Sequence, residues 1–237
     1  EQVVMMQKYK GCLVVDEGPD ISGCGNYNIP IYISDGSAMA FNLFFLDSNQ
    51  SVVMQDQIDW YIAKSNELTA LNGGVQVPSF EFQHIIPYNY ELVSAFAAQG
   101  DVFASFFGHN HYASHNAPWL GIDRWFTPTA GFHEFGPDME RGVRVIDIYE
   151  NDPYAYDTFV LTYIDLFGDN PITHLRYRLF TLGGLDGNPM TVITEVLSGV
   201  AQSLIYVRDI TEGDPVRFIS VLLEFFGVDI GRYGLDY

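Results

Sequence analysis

Three histidines follow apolar, strand-like segments of the sequence, at the places where such strands end. His84 closes the segment FEFQH, and His109 and His111 come directly after DVFASFF, in Gly108-His109-Asn110-His111. Imidazole nitrogens are ligands for zinc, iron and similar borderline metals. Because open α/β sheets place ligand sites at the carboxyl ends of their strands, we expect the three side chains to converge. The pattern therefore predicts a metal site at this sheet edge.

The hydropathy pattern predicts the elements that would position these histidines. Alternating or continuous apolar residues indicate strands, and apolar residues three and four apart indicate helices. Strands alternating with helices, followed by strands alone, predict an α/β fold whose second half is antiparallel. We expect strands at 26–33, 39–47, 78–84 and 101–107, helices at 55–68 and 90–99, and a closing hairpin at 142–149 and 157–166.

The character of the chain changes after Gly168. Residues 191–205 place apolar side chains on one helical stripe, and Asp214-Pro215 is a typical start for another helix. The apolar residues expected to face inward from this second helix are Ile219, Leu222, Leu223 and Phe226. We therefore expect residues 1–167 to form one domain and residues 168–237 to form an extension with two amphipathic helices. These helices can be a packing layer of the sheet or a docking surface, and the packing layer is the commoner arrangement.

The charge of the chain restricts its partners. The 237 residues include 11 Lys and Arg against 30 Asp and Glu, a formal net charge of −19. A field of this sign repels nucleic acids and anionic membrane surfaces. No apolar run reaches the roughly 18 residues that a transmembrane helix needs. The first residues, EQVVMMQKYK, lack the pattern of a signal peptide, so we expect the chain to begin after processing or inside a longer polypeptide.

Two cysteines and one sequon bear on the cellular compartment. Cys12 and Cys24 lie close together in a turn-rich segment, compatible with a disulfide or with two reduced thiols in a cytosolic loop. Asn49 begins the sequon Asn49-Gln50-Ser51 just after an apolar strand, where a glycan could point outward. Together with the acidity these features favour a secretory or extracellular setting, and we predict a disulfide between Cys12 and Cys24.

Five segments in order extend the histidine pattern to a family resemblance. GDVFASFFGHNH resembles the last motif of calcineurin-like metallophosphoesterases, and FEFQHIIPYNY resembles the strand that delivers their single metal-binding histidine. GPDISGCGNYNIPI, LFFLDS with QDQIDWY, and TAGFHEFG with Arg141 and Arg144 downstream resemble the purple-acid-phosphatase-like branch of that family. The resemblance covers about residues 11–150. It implies a layered β-sandwich flanked by helices, in four layers α/β/β/α, whose N-terminal half is not present in this sequence.

The resemblance also implies roles for individual residues. His84 and His109 would bind the second of two metal ions, and His111 the first. Asn110 stands where the family usually has aspartate, and His133 matches a position close to the site, so both are candidates for substrate binding. His115 lies near enough in sequence to contact substrate but is more typical of an exposed loop. The remaining histidine, His174, is in no motif and is expected to be structural or solvated.

The family's acidic motifs are absent from this sequence. No Asp-x-His, Gly-Asp-x-x-Asp or Gly-Asn-His motif precedes the histidines, and Ile86 replaces the family's proline, with Pro87 one place later. Two cations a few ångströms apart require anionic ligands between them, so three neutral histidines hold at most one metal ion. The implied cofactors are two Fe, Zn or Mn ions if absent sequence completes the site, and otherwise none or one zinc ion.

These observations support two main hypotheses. In the first, the chain supplies the histidine half of a dinuclear site for phosphomonoester hydrolysis, is inactive alone, and requires an N-terminal fragment of the same polypeptide or another subunit. In the second, it is a non-catalytic extracellular protein with the same fold and a structural or assembly role. A mononuclear metal-binding module is a third, more distant hypothesis.

Overall fold

The computed structural model describes residues 2–16, 18, 20–87, 90–181 and 189–225. The chain forms two compact units. One comprises Glu1–Thr129 and Val143–Val160, and the other comprises Ala130–Gly142 and Leu161–Tyr237. The predicted boundary after residue 167 is close to one of these divisions, but residues 130–142 belong with the second unit. Every helix in the described residues is too short or too polar to cross a bilayer.

The first unit is built on a five-stranded sheet with strand order β1-β2-β3-β4-β5. β1 pairs antiparallel with β2, and β2 to β5 run parallel, so their carboxyl ends share one edge of the sheet. The short α1 precedes this sheet, and α2 and α3 connect its parallel strands. The bounds are α1 Gln2–Met6, β1 Tyr27–Tyr32, β2 Met39–Phe45, α2 Gln55–Leu71, β3 Ser79–Gln83, α3 Tyr90–Gln99, β4 Val102–Phe107 and β5 Asp123–Phe126.

Alternation along the strands divides the apolar residues between the two faces of the sheet. On β2, Phe44 packs in a cluster with Tyr61 of α2 and Phe96 of α3, so this face is covered by helices. Phe41, on the other face, packs with Phe80 of β3. Helix α2 ends at Asn72 because the glycines that follow adopt left-handed backbone angles.

A hairpin of β6 (Gly142–Tyr149) and β7 (Asp152–Thr162) forms a two-stranded sheet. Ile146 and Ile148 of β6 and Tyr156 of β7 pack against the aromatic face that contains Phe80 and Phe106. The first unit therefore has a helix layer, a five-stranded sheet and a two-stranded layer. This confirms the predicted α/β class, in the form of a central sheet flanked by helices.

The described residues of the second unit form the α-helices α4 (Tyr163–Phe167), α5 (Pro171–Thr181), α6 (Pro189–Ile210) and α7 (Pro215–Phe225). Its core consists of Met139, Tyr163 and Tyr177, with Phe132 packed against them. The prediction that Ile219 of α7 faces inward is wrong, because that side chain is 57% exposed. Leu222 and Leu223 of the same predicted face are partly buried, and Phe226 lies outside the described residues. Four elements were not predicted: α1, α4, α5 and β5. The four-residue β5 is too short for its alternation to register, and α5 carries a weak apolar stripe. Residues 163–166, predicted as the end of a strand, belong to α4.

Candidate metal site

The sheet brings His84 and His109 to the same edge. β3 and β4 are in register, with Gln83 opposite Phe107 at the last residue of each strand. One residue further, the N–H of Gly108 donates a hydrogen bond of 3.0 Å to the carbonyl oxygen of His84. This bond extends the ladder past the strands and fixes the backbone from which both histidines project. The predicted strand-end placement of these two residues is therefore present.

The two imidazole rings are neighbours. Their centroids are 5.3 Å apart and the ring planes are nearly perpendicular, at 83°. Gly108 permits this approach, because a Cβ at that position would lie 3.2 Å from Nδ1 of His84. His109 itself has a left-handed φ of 60°. A residue other than glycine rarely adopts this backbone conformation without a local reason. The turn therefore directs the His109 ring toward His84.

Although His84 is exposed at the surface, partial desolvation lowers its pKa, and the neighbouring His109 and His111 lower it further. Positive charge on His109 or His111 disfavours positive charge on His84, so the His84 imidazole is neutral over a wider pH range than usual. Neutral imidazole is the form that binds a metal. His111 is thus close enough to influence His84, and its carbonyl oxygen accepts a 3.1 Å hydrogen bond from the N–H of Thr129.

The described residues do not form a complete metal site. No group of three or more His, Cys, Asp or Glu side chains within them has an arrangement that could hold a metal ion. The adjacent His84 and His109 fit part of the coordination of one ion. A dinuclear centre does not fit the described side chains, because no carboxylate joins the histidines.

The other candidate residues lie in different surroundings. Asn110 accepts a 3.2 Å hydrogen bond from the N–H of Tyr112, so its side chain closes the turn between the paired histidines. The ring of His115 packs on Phe126, with centroids 5.0 Å apart. His133 is exposed in the second unit, whereas His84, His109 and His111 belong to the first.

Two arginines hold the loops that carry these residues. Arg141 donates to the carbonyl oxygens of Gly131 and Glu134, on either side of His133. Arg144 donates to the carbonyl oxygens of Ser114 and Phe126, at 2.8 Å and 2.7 Å. Both guanidinium groups therefore satisfy backbone acceptors in loops next to predicted site residues. His174 pairs with Asp169 at 2.7 Å on the exposed surface, as its expected solvated or structural role implies.

The predicted disulfide is not formed. Cys12 and Cys24 are both free thiols. Sγ of Cys24 is directed at the Asp16 carboxylate, 3.6 Å away, and the N–H of Gly25 donates to the other Asp16 oxygen at 3.1 Å. Burial and Asp16 raise the pKa of the Cys24 thiol. The Asp16 carboxylate thus organises the loop that a disulfide was expected to close.

The sequon residue Asn49 is only partly exposed. Its Nδ2, the atom that a glycan would modify, donates a 2.8 Å hydrogen bond to Oε1 of Gln57. Nε2 of Gln57 in turn donates to Asn26 and to the carbonyl oxygen of Asp47. Glycosylation at Asn49 stays a prediction, and it would leave one hydrogen on Nδ2 as the donor to Gln57.

Two side chains that sequence reasoning missed hold the loop after His84. The N–H of Ile85 donates to Oγ of Ser48 at 3.1 Å, and Nη2 of Arg124 donates to the carbonyl oxygen of Pro87 at 3.2 Å. Ser48 follows β2 and Arg124 lies in β5, so the loop is tied to strands on both sides of β3 and β4. The signal for Ser48 was its place at the end of a strand, the criterion that identified the histidines.

Glu81 is a second residue that the sequence analysis overlooked. It lies in β3, three residues before His84, and is completely buried. Register places Ser105 of β4 beside it, and Arg124 of β5 beside Ser105. Burial raises the pKa of Glu81 to about 8, although Ser105 and Arg124 oppose the shift. A single acidic residue between two phenylalanines of a buried strand, as in FEF, was the available signal.

Comparison with known proteins agrees with the motif resemblance. No protein-family model matches the chain. Among curated proteins, the chain matches the probable inactive purple acid phosphatase 28 of Arabidopsis thaliana, with 28% identity over 167 residues. The match covers 54% of this chain and 42% of that relative, so the chain spans less than half of the relative's length. It supports a relationship between part of this chain and purple-acid-phosphatase-like proteins of the calcineurin-like group.

Proposed function

We propose that this chain supplies the histidine part of a metal-dependent phosphoesterase site. The observation that carries the proposal is the adjacency of the His84 and His109 rings, 5.3 Å apart at the carboxyl edge of the parallel strands. The motif resemblance and the partial match to a purple-acid-phosphatase-like protein support the same reaction class. Acidic ligands from outside the 237 residues would complete the site.

In the complete site, His84 and His109 would hold one ion and His111 the other. Bound metal ions lower the pKa of a coordinated water and bind the phosphoryl oxygens. The residues of this chain serve to hold the ligands. Ser48 and Arg124 tie down the loop after His84, and Arg144 ties the loop after His111 to the end of β5. These contacts keep the imidazoles in place before a metal binds, which reduces the ordering cost of binding.

The same chemistry predicts that the isolated chain is inactive. The sequence contains no Asp-x-His, Gly-Asp-x-x-Asp or Gly-Asn-His motif. It therefore offers no candidate for a bridging carboxylate or for the acid that protonates the leaving group. Loss of general acid catalysis alone typically reduces a rate by about 10²–10⁴-fold.

A non-catalytic role is the second candidate. Two observations favour it: the relative is itself named as probably inactive, and the described residues contain no group of three metal-binding side chains. In this case the fold would serve assembly or structure, and the histidine edge would bind at most one metal ion.

Zinc binding and phosphatase assays separate the two candidates. We would measure zinc uptake by calorimetry and turnover of 4-nitrophenyl phosphate, for the wild-type chain, His109→Ala and a His174→Ala control. The first candidate predicts zinc binding that His109→Ala weakens at least tenfold and His174→Ala leaves unchanged, with turnover only when an N-terminal segment bearing the acidic motifs is added. Zinc binding that is indifferent to His109→Ala would overturn it. Turnover by the isolated chain would show that acidic residues of this sequence complete the site.

A secretory or extracellular location is likewise a proposal, supported by the net charge of −19 and the Asn49 sequon. Intact-mass analysis of the protein from its own cells tests it. A mass increase removed by peptide N-glycosidase would support secretion, whereas an unmodified Asn49 would leave acidity as the remaining support.

A further inference from the structure

Helix α6 exposes an apolar stripe to solvent. Ile193, Leu197, Val200 and Leu204 are 49%, 63%, 38% and 41% exposed. A helix of a globular protein normally turns such a stripe toward its core. In α6 these four apolar side chains are instead exposed to solvent.

The side of α6 that packs within the unit carries two small residues, Gly199 and Ser203, and the fully buried Val207. Gly199 lies against Leu175 of α5, where an added Cβ would approach Cδ1 of Leu175 to 3.2 Å. Oγ of Ser203 donates a 3.1 Å hydrogen bond to the carbonyl oxygen of Pro171, at the start of α5. Close packing on α5 therefore occupies one side of α6, and the apolar stripe lies on another.

The spacing of the exposed residues is that of a helix-pairing seam. From Ile193 to Leu204 the intervals are four, three and four residues, so alternate members of the stripe recur every seven residues, Ile193 with Val200 and Leu197 with Leu204. Apolar residues repeating every 3.5 residues keep one face of a helix in contact with a second helix. The stripe, defined as Ile193, Leu197, Val200 and Leu204 and called the α6 seam below, is thus suited to a helical partner.

We propose that the α6 seam pairs with the α6 seam of a second copy of this chain. A two-fold axis through the middle of the seam makes two antiparallel helices meet with Ile193 opposite Leu204 and Leu197 opposite Val200. Each leucine then faces a β-branched residue on the other copy. Two-fold interfaces are self-complementary, and this is the commonest symmetry of soluble oligomers.

The charge distribution favours a second copy over other occupants. Residues 196–207 contain no charged side chain, although the whole chain has a net charge of −19. Two copies can therefore meet along the seam without placing like charges in contact. A basic protein partner would be selected by acidic residues along the seam, and none are there. A membrane-surface helix typically carries Lys and Arg on its polar face, whereas α6 has one arginine, Arg208, beside Asp209.

The size of the apolar surface sets the expected strength. Specific interfaces bury about 800 Å² on each partner. The α6 seam provides only part of such an area, and Val216 and Ile219 of α7, 45% and 57% exposed, add to the apolar surface of the same unit. We therefore expect reversible dimers with a dissociation constant on the order of 10 μM, not an obligate dimer.

Sedimentation analysis of the full chain tests this inference. We would compare the wild type with Leu197→Glu, in the seam, and Ile205→Glu, a control on the same helix that is 52% exposed outside the seam. Both changes add one negative charge at an exposed position, so neither requires burial of the new carboxylate. We expect dimers for the wild type and for Ile205→Glu at about 100 μM, and at least a tenfold higher dissociation constant for Leu197→Glu.

Salt provides a second readout. Two copies with net charge −19 repel each other at long range, and salt screens this repulsion. The dissociation constant should therefore decrease when the NaCl concentration is raised from 50 to 500 mM. A monomer at 100 μM in both salts, or equal effects of the two glutamate variants, would overturn the proposal. So would a monomer that sediments with phosphatidylcholine vesicles through Leu197, which would assign the seam to a membrane surface.

Discussion

Replacement of Glu81 by glutamine should stabilise the first unit at neutral pH. Glu81 is completely buried in the middle of β3, and among the described residues the Ser105 hydroxyl beside it in β4 is the one hydrogen-bonding side chain that favours its charged form. An ionised carboxylate in this position would lack the solvation that water gives it. Burial accordingly raises the pKa of Glu81 to about 8, so the folded protein keeps the proton at neutral pH.

The sign of the effect follows from the two pKa values of Glu81. In the unfolded chain its pKa is 4.5, and in the folded chain it is about 8. The stabilisation from the bound proton is fully present below pH 4.5 and is lost as the pH rises toward 8, because the unfolded state ionises first. At 1.36 kcal/mol per unit, the loss is about 3 kcal/mol at pH 7 and about 5 kcal/mol above pH 8. Glutamine has the same shape and cannot ionise, so Glu81→Gln should remove this loss.

Urea unfolding at pH 5, 7 and 8.5 measures the effect. Trp60, Trp119 and Trp125 are the three tryptophans of the sequence and all lie in the first unit, so their fluorescence reports on its unfolding. We expect Glu81→Gln to unfold at higher urea than the wild type at pH 7 and 8.5, and the difference to shrink at pH 5. Glu91→Gln, at an exposed position in α3, is the matched control for the change of charge.

Two results would refute this reasoning. If Glu81→Gln were less stable than the wild type at pH 8.5, attraction to Arg124 would stabilise the ionised carboxylate by more than burial destabilises it. If Glu91→Gln reproduced the gain, the effect would come from the net charge of the chain and not from burial of one carboxyl group.

Three further predictions concern the histidine edge and the thiols. Ser48→Ala removes the acceptor of the Ile85 N–H, so it should cost about 1 kcal/mol of stability in urea unfolding and weaken zinc binding by His84, measured by calorimetry. His84 should titrate below its ordinary pKa of 6.5 in an NMR titration of the metal-free chain, and His109→Ala should raise that value. Denatured, unreduced protein should react with two equivalents of a thiol reagent, from Cys12 and Cys24; no reaction would restore the predicted disulfide.

The sequence predicted those parts of the fold whose patterns are strong and local. The run MAFNLFFLD and the alternation of FEFQH identified β2 and β3. Apolar spacing predicted helices at 55–68 and 90–99, and the structure has them at Gln55–Leu71 and Tyr90–Gln99. Strand-end logic then placed His84 and His109 at one edge, as the structure does. The four-residue strand β5 forms by pairing with β4, and a pattern of four residues is too short to predict a strand that depends on its neighbour.

The failures share a physical cause. The disulfide was predicted from the closeness of two cysteines in sequence, but the Cys24 loop is ordered by hydrogen bonds to Asp16 and Asp47, which sequence distance does not show. Burial of Ile219 was predicted from helical spacing, which identifies an apolar face but not what covers it. Glu81 was missed because its importance arises from the two strands beside it, and long-range register is not visible in one segment.

The arginines near His84 and His109 hydrogen-bond to the protein's own backbone. Arg124 and Arg144 lie in β5 and β6 on either side of this region, and both donate to backbone carbonyl oxygens that hold its loops. A guanidinium engaged in this way has fewer donors left for a phosphate group. The chain as a whole is strongly acidic, with a net charge of −19, and repels a phosphoester. Under the proposed function, attraction of the substrate must therefore come from bound metal ions, so the ligands that hold those ions also determine whether a phosphoester can approach.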